Sequence, residues 1–366
     1  MSLTILLFVS IVLYWILILV LVLSALFFLS IQLFPGETVH LRREIGGSVL
    51  VMVPCRGVDL TLQETLESIR DLEYSGFQAV CIVDSEDDPS VPIIREVGLR
   101  TLISRAACKD CSGKVRALCT AMKEMPQFDY YVIADSDIIV ERDWLSCLLS
   151  PLHDERVGLS TTFPVFQPDS KFWSKMKSVW GMVGQSMMKS RRTRFGWGGS
   201  LAFRRNLVDG YMPVFCNSVS DDVALSKICR KKGLDIQYVE DARAIIRLKE
   251  SRKSFFEWAN RQAALTVSSG GRVLAYGLVY FLAQCILIVS SLLLAFLVYP
   301  VFLFLLLPFA TQSIKYRQVH LRLPASVVFI EFMLPFVYSY NLVHAALVKD
   351  IEWRGRKYVL QRFRDL

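Results

Sequence analysis

The stretch YYVIADSDIIV, residues 130–140, decides the fold. Tyr130 to Ala134 reads as a strand that runs straight into Asp135-Ser136-Asp137. That places two carboxylates at one strand end with a tight turn between them. Asp and Ser also suit such turns for purely conformational reasons, so the neighbours matter. Upstream, Phe77 to Val83 is a second apolar strand, and CIVDSEDD (81–88) carries it directly into Asp84. Ser48 to Cys55 is a third short apolar run. Helical spacing lies between them. Leu62, Leu66, Ile69 and Leu72 share one face of Thr61 to Leu72, and Ser112 can cap a helix from Gly113 to about Met125. Asp143 to Leu152 also looks helical. Strands alternating with helices predict an α/β domain, a mainly parallel sheet covered on both faces. Ligands of such sheets bind beyond the carboxyl ends of the strands, which is where Asp84, Asp135 and Asp137 stand.

Outward from this domain the composition changes. The 366 residues are 53% hydrophobic and only 21% charged, which excludes a disordered or low-complexity chain. The apolar excess sits at the two ends. Leu3 to about Phe34 contains no charged residue and is long enough to span a bilayer with tilt, and too long for a signal-peptide core. A second block, Tyr276 to Ala310, is broken by Pro300 and Pro308, and a third runs from Pro324 to Val348 with Glu331, Asn341 and His344 inside it. The chain thus divides into an N-terminal transmembrane helix (1–36), the α/β domain (46–272), a C-terminal transmembrane region (273–348) and a basic cytoplasmic tail (349–366).

Basic flanks predict orientation. Arg42 and Arg43 follow the first span, and Lys349, Arg354, Arg356, Lys357, Arg362 and Arg364 follow the last block. The N-terminus is therefore expected outside, with the α/β domain and tail in the cytoplasm of a multi-pass integral membrane protein. An even number of crossings is then needed between residues 276 and 348. The basic loop around Lys315, Arg317 and Arg322 fits this poorly. It is either external, or the Pro-broken block is a hairpin or re-entrant pair. The net charge of +8 suits anionic headgroups, and with no nucleic-acid motif present no nucleic acid is expected. Nine cysteines, odd in number and scattered, are expected reduced in that compartment. Cys108 and Cys111 form a lone CxxC without a second pair or nearby His, so zinc is not expected.

Four further stretches carry chemistry. Lys114, in the first turn of the helix opened by SGKVRAL (112–118), can reach a diphosphate. In RFGWGGSLAFRR (194–205), Gly196, Gly198 and Gly199 surround Trp197; the glycines allow close backbone approach and the indole can stack on a sugar ring or lipid. In SVSDDVALSKICRKKG (218–233), Asp221 and Asp222 open a helix, where acidic residues also serve as caps. SFFEWANRQAALT (254–266) reads as a helix with Trp258, Arg261 and Gln262 close together. Phe172 to Lys189 is amphipathic and suits either a membrane surface or a core-facing helix. Asp135 and Asp137 are hard oxygen ligands of the kind that hold Mg2+ or Mn2+.

Taken in order, Asp84, Asp135 with Asp137, and Ser-Asp-Asp at 220–222 resemble membrane-bound family-2-type glycosyltransferases, closest to the ceramide glucosyltransferase-like branch. VPCRGVDLTLQETLESIRDLEY (53–74) looks like that branch's opening strand and helix, and the resemblance covers about residues 48–265. It implies a GT-A, Rossmann-like catalytic domain. Asp84 would contact the uridine of the donor, Asp135 and Asp137 the metal, diphosphate and ribose, and Asp222 would be the base. Asp221, Trp197 and Gly199 would line the substrate site. The family's (Gln/Arg)-x-x-Arg-Trp motif is altered here: Glu257 precedes Trp258 and Ser254 takes the Gln/Arg place. Arg261 and Gln262 would take over diphosphate and acceptor contacts.

The chemistry is coherent on its own terms. A departing diphosphate gathers charge that a divalent cation neutralises, helped by Lys114 and Arg261. A weakly nucleophilic hydroxyl needs a carboxylate to take its proton. One base and one metal suffice for inverting displacement, and no protein nucleophile for a retaining route is evident. The expected reaction moves a hexose, glucose first, from a UDP-sugar to a membrane lipid hydroxyl of ceramide-like or other glycolipid type. Transfer to a polyprenyl phosphate and processive polysaccharide synthesis remain open. A non-catalytic membrane scaffold or transporter subunit is the alternative of another class.

Overall fold

The computed structural model describes residues 3–32, 45–108, 110–319 and 327–360. Arg42, Arg43, Arg322, Arg362 and Arg364, on which orientation partly rests, lie outside the described residues. In chain order, α1 (Leu3–Gln32) precedes β1 (Val49–Pro54), α2 (Leu62–Arg70), β2 (Phe77–Val83), α3 (Val91–Val97) and β3 (Arg100–Ile103). Next come α4 (Gly113–Glu124), β4 (Tyr130–Ala134), β5 (Ile139–Val140), α5 (Trp144–Leu149), β6 (Val157–Thr161) and β7 (Val165–Pro168). Then follow α6 (Phe172–Met188), β8 (Ser200–Arg204), α7 (Met212–Cys216), α8 (Asp221–Lys231), β9 (Asp235–Tyr238) and β10 (Ala244–Leu248). The chain closes with α9 (Arg252–Ser269), α10 (Gly271–Leu297), α11 (Leu307–Val319), α12 (Val327–Leu347), β11 (Asp350–Trp353) and β12 (Arg356–Val359).

Two compact units form: Met1–Pro35, Lys175–Met182 and Arg252–Leu347 make one, and Gly36–Ser174, Val183–Ser251 and Val348–Leu366 the other. The second is the α/β unit. Its main sheet has seven strands in the order β3-β2-β1-β4-β8-β6-β9. β1 is parallel to both β2 and β4, with Val49 opposite Phe77 on one side and Tyr130 on the other. β8 runs antiparallel to β4 and β6. Strands buried on both faces read as unbroken apolar runs, and all of Val49–Val53 is solvent-free. One face packs on Leu62, Leu66 and Ile69 of α2, the other on Val115, Leu118 and Cys119 of α4. Full burial of side chains of this size contributes roughly 1.5–3 kcal/mol each. Trp144, also fully buried, satisfies its indole N–H on Ser200 Oγ at 2.9 Å. A smaller sheet, β5-β10-β7, and the hairpin β11-β12 complete this unit.

Two features depart from the sequence reading. Residues Asp350–Val359, read as a basic tail, pair as an antiparallel hairpin grouped with the α/β unit. Cys119 of α4 and Cys216 of α7, Cα atoms 5.9 Å apart, stand as a pair within disulfide range, as do Cys108 and Cys111 at 5.8 Å. Reduced thiols were expected. Both spacings lie in the range a disulfide bridges without moving the backbone, so the fold itself presents these cysteines to one another.

The other unit is helical. Among the described residues, three helices are long and apolar enough to cross a membrane: Ser10–Ser30, Arg272–Leu297 and Val327–Leu347. Pro300–Ile314 is a shorter apolar helical segment. Val20 and Phe27 of α1 pack with Leu287, Ile288 and Leu294 of α10 and Phe309 of α11. Trp180, Tyr338 and Phe281 stack in series, with centroids 4.7 and 4.3 Å apart. Buried Asn341 accepts from Trp180 Nε1 at 3.1 Å and donates to Asn260 Oδ1 at 2.7 Å. These contacts place α9, assigned from sequence to the catalytic domain, with the apolar helices.

Candidate active site

Three neighbouring parallel strands end at one edge of the α/β unit, and each delivers polar residues there. The turn after β1 carries Arg56 and Asp59, β2 leads into Asp84, and β4 leads into Asp135 and Asp137. The amino ends of α4 and α8 join them. Ser112 caps α4 by accepting from Val115 N at 3.2 Å, which fixes Lys114 in the first turn. Asp221 and Asp222 open α8, where unpaired amides favour negative charge.

Lys114 is the hub. Its Nζ lies 2.8 Å from Asp135 Oδ1 and 3.2 Å from Asp221 Oδ2, and it donates to the Gly198 carbonyl at 2.9 Å. The ammonium is only 11% exposed and the Asp221 carboxylate 5%. Burial alone would lower the Lys114 pKa, but Asp135 and Asp221 outweigh it and hold the amine above its ordinary range. Desolvation raises Asp135 and Asp221 above the usual carboxylate range. Lys114 opposes the shift, and repulsion reinforces it, from Asp221 on Asp135 and from Asp222 on Asp221. One cation shared among several anions leaves the inner cleft with negative charge in excess.

The glycine stretch is bolted to this hub. Gly196 N donates to Ser226 Oγ of α8 at 2.8 Å, and Trp197 N to Thr161 Oγ1 of β6 at 3.0 Å. Asp135 N donates to the Gly199 carbonyl at 3.0 Å. A Cβ on Gly198 would stand 2.6 Å from Asp221 Oδ2, and one on Gly199 2.1 Å from the Trp197 indole, so both positions need glycine. Trp197 itself is partly buried, packs against the core beneath the sheet, and lies 6.1 Å from Phe163. Asp222 is half-buried. Its Oδ1 accepts from the Ser220 hydroxyl and from Val223 N at 2.7 Å, and its Oδ2 from Gly198 N at 3.4 Å.

Asp84 occupies the rim. Arg116 Nη2 meets its Oδ1 at 2.7 Å, Arg356 Nη2 its Oδ2 at 3.1 Å, and Arg56 Nε lies 3.8 Å away. Arg354 Nη2 holds both oxygens of Asp59 at 2.8 and 2.9 Å, while Ser136 Oγ donates to Asp59 Oδ2 at 2.6 Å. Lys114, Asp135, Asp221 and Asp222 are thus brought together around Gly198, with Gly199 behind Asp135, Asp84 held by the rim arginines and Asp137 acting on Arg354. Sequence reasoning missed Arg56, Asp59, Arg116, Arg354 and Arg356. Trp258, Arg261 and Gln262 lie on α9 in the helical unit, where Trp258 packs edge-on against Trp180 at 4.8 Å and Lys177 Nζ sits 4.6 Å over its ring.

Among the described residues, no three His, Cys, Asp or Glu side chains stand gathered as a ready ligand set. The donor chemistry nevertheless suits a cation. Asp221 Oδ2 is buried and meets the Lys114 ammonium at 3.2 Å, a cation it shares with Asp135. Surplus negative charge on oxygen donors, from Asp135, Asp137 and Asp221, is what hard divalent ions select.

Similarity to known proteins follows the same lines. A mannosyltransferase from Pyrobaculum calidifontis, solved in complex with GDP-Man and Mn2+, superposes with a TM-score of 0.56 at 16% identity, covering 92% of this chain and 96% of that one. This is the GT-A glycosyltransferase fold. A poly-beta-1,6-N-acetyl-D-glucosamine synthase of Staphylococcus aureus is 22% identical over 203 residues, 52% of this chain and 47% of that protein. An N-acetylglucosaminyltransferase of Bradyrhizobium diazoefficiens is 25% identical over 237 residues, 60% and 49% respectively. The chain spans about half the length of these curated relatives. The sequence description of glycosyl transferase family 21 matches residues 14–365, nearly the whole chain. The chain belongs to glycosyl transferase family 21.

Proposed function

We propose that the protein is a ceramide glucosyltransferase-like membrane enzyme that moves a hexose, glucose first, from a UDP-sugar to a lipid hydroxyl with inversion. The observation that carries this reading is the cleft itself. Lys114 ties Asp135 to Asp221, and Asp222, beside Asp221, is the carboxylate of the pair that is less buried.

Asp222 is the base. Three donors fix its carboxylate, so it presents a set orientation to an acceptor. It takes the hydroxyl proton as the acceptor oxygen bonds to the anomeric carbon and the sugar–phosphate bond breaks, its electron pair leaving on UDP. Lys114 places a buried positive charge where the leaving group gathers negative charge. Asp135 and Asp137 would hold a divalent cation, Mg2+ or Mn2+, which when bound would supply Lewis-acid stabilisation of that diphosphate. Asp84 is assigned to the uridine, and Trp197, Gly199 and Asp221 to the walls of the substrate site. Trp258, Arg261 and Gln262 are assigned to donor and acceptor contacts on the strength of the family resemblance alone.

Three apolar helices support a lipid acceptor, since they would keep the enzyme at the headgroup level. Two of them follow residue 271, the even number that a cytoplasmic catalytic domain and C-terminus require. The names of the curated relatives favour one second reading, a UDP-GlcNAc donor. Purified protein in nanodiscs, given UDP-glucose or UDP-GlcNAc with a ceramide-containing lipid extract, tests both by mass spectrometry of the lipid product, with and without EDTA. A glucosylated lipid formed only without EDTA is the expected result. A GlcNAc product moves the donor assignment, and transfer indifferent to chelation removes the metal from the account.

A further inference from the structure

The hairpin β11-β12 is fastened to the α/β unit chiefly through polar groups. Of residues 350–359 only Ile351 is buried, and an isolated two-stranded hairpin is marginal in water. Three polar anchors lie at the strand-end edge. Arg354 reaches both Asp59 oxygens and the Arg56 carbonyl, Arg356 reaches Asp84, and Tyr358 OH accepts from Gly113 N at 3.3 Å, beside Lys114.

The turn has a conformational oddity. Arg354 and Gly355 have φ of 48° and 72°, the positive pair a tight hairpin turn requires. Glycine or asparagine fits both places, and an arginine there is disfavoured. Turn formation therefore does not explain Arg354. The guanidinium does, since the strained position aims it at Asp59.

Charge explains what the guanidiniums are for. Around the rim, Arg56, Arg116, Arg354 and Arg356 face two carboxylates, Asp59 and Asp84. Asp88 is turned onto the amides of Gly57 and Ser90, while Asp137 and Asp135 also act on Arg354 from the cleft side. Four guanidiniums against the two carboxylates they directly contact concentrate positive charge on the rim. Arg354 and Arg356 are more than a third exposed, so their ion pairs hold little stability and exchange readily for an anion with more charge. A planar guanidinium fork matches phosphate oxygens as well as it matches carboxylates.

We propose that Arg354 and Arg356 are donor-binding residues: the hairpin clamps the nucleotide-sugar, and the two guanidiniums exchange Asp59 and Asp84 for diphosphate oxygens. This rests on the glycosyltransferase reading above and assigns a part of the chain to donor recognition that the strand-end aspartates do not cover.

The full-length protein, in nanodiscs with Mn2+, is titrated with UDP, UMP and uridine. Arg354→Ala and Arg356→Ala should each weaken UDP about tenfold or more, UMP less, and uridine not at all. Arg354→Lys, which keeps the charge without the fork, should recover part of the loss. Lys357→Ala, which removes the exposed hairpin pair with Asp350, should leave all three affinities unchanged. UDP affinity within twofold of wild type in both alanine variants overturns the clamp. Equal weakening of all three ligands also overturns it, because a hairpin that merely shapes the site would act that way. Wild-type protein that binds none of the three overturns the donor reading and the clamp with it.

Discussion

At the scale of single residues the site is a problem of one ammonium among carboxylates. Removing Lys114 leaves Asp135 and Asp221 facing each other in a poorly hydrated cleft, so Lys114→Ala should cost about 3–5 kcal/mol at neutral pH. The sign with pH follows from the elevated carboxylates. The folded state then binds more protons than the unfolded one between the two sets of pKa values, so stability rises as pH falls. Melting curves from pH 8 to pH 5 should show the gap to wild type narrowing toward acid; a constant gap would mean that Lys114 acts through packing alone. Asp222→Asn keeps the size and the Oδ1 contacts of the side chain but removes the base. Turnover should drop about 10²–10⁴-fold with UDP affinity within about twofold, and a matching loss of UDP binding would reassign Asp222 to donor recognition. The aspartates were legible because each follows an apolar strand or opens a helix, positions where sequence and site coincide. Arg354 was not. An arginine at positive φ leaves no residue signature, and WRGRK reads simply as basic flank.

Elements were legible in proportion to their periodicity. β1, β2, β4, α2 and α4 lie within a residue or two of their predicted spans, because buried parallel strands and a one-sided helix each leave a clear apolar pattern. The run from β6 to β10 was not read as strands. These segments are four or five residues long, several with polar residues facing the core such as Ser160 and Thr161. β8 enters the sheet antiparallel, which local alternation cannot announce. The placement of α9 shows the same limit: its sequence is amphipathic in either setting, and tertiary contacts fix its company, Asn260 with Asn341 and Phe256 with Tyr340 of α12 and Trp258 with Trp180. Asn341→Leu tests that junction. It strips buried partners from Trp180 Nε1 and the Asn260 amide at once, so a loss of about 1–3 kcal/mol is expected, read as a lowered melting temperature in detergent. An unchanged melting temperature would make the contact incidental.

For the whole molecule the sharpest expectation concerns sidedness. Three apolar helices make an odd number of crossings if each spans, so tags at the two ends should lie on opposite sides of the membrane. Protease protection of sealed vesicles reads this directly, with the N-terminal tag expected outside and the C-terminal tag in the cytoplasm. Tags on the same side would mean that Pro300–Ile314 crosses as well, or that one of the three does not. Chain order adds a temporal consequence. Arg354 and Arg356 are made after every aspartate of the cleft, so the nascent chain gains its donor clamp last. A chain truncated ahead of Asp350 should keep Asp84, Asp135, Asp137, Asp221 and Asp222 yet bind UDP about tenfold or more weakly, and sugar transfer at low donor concentration would wait on the hairpin.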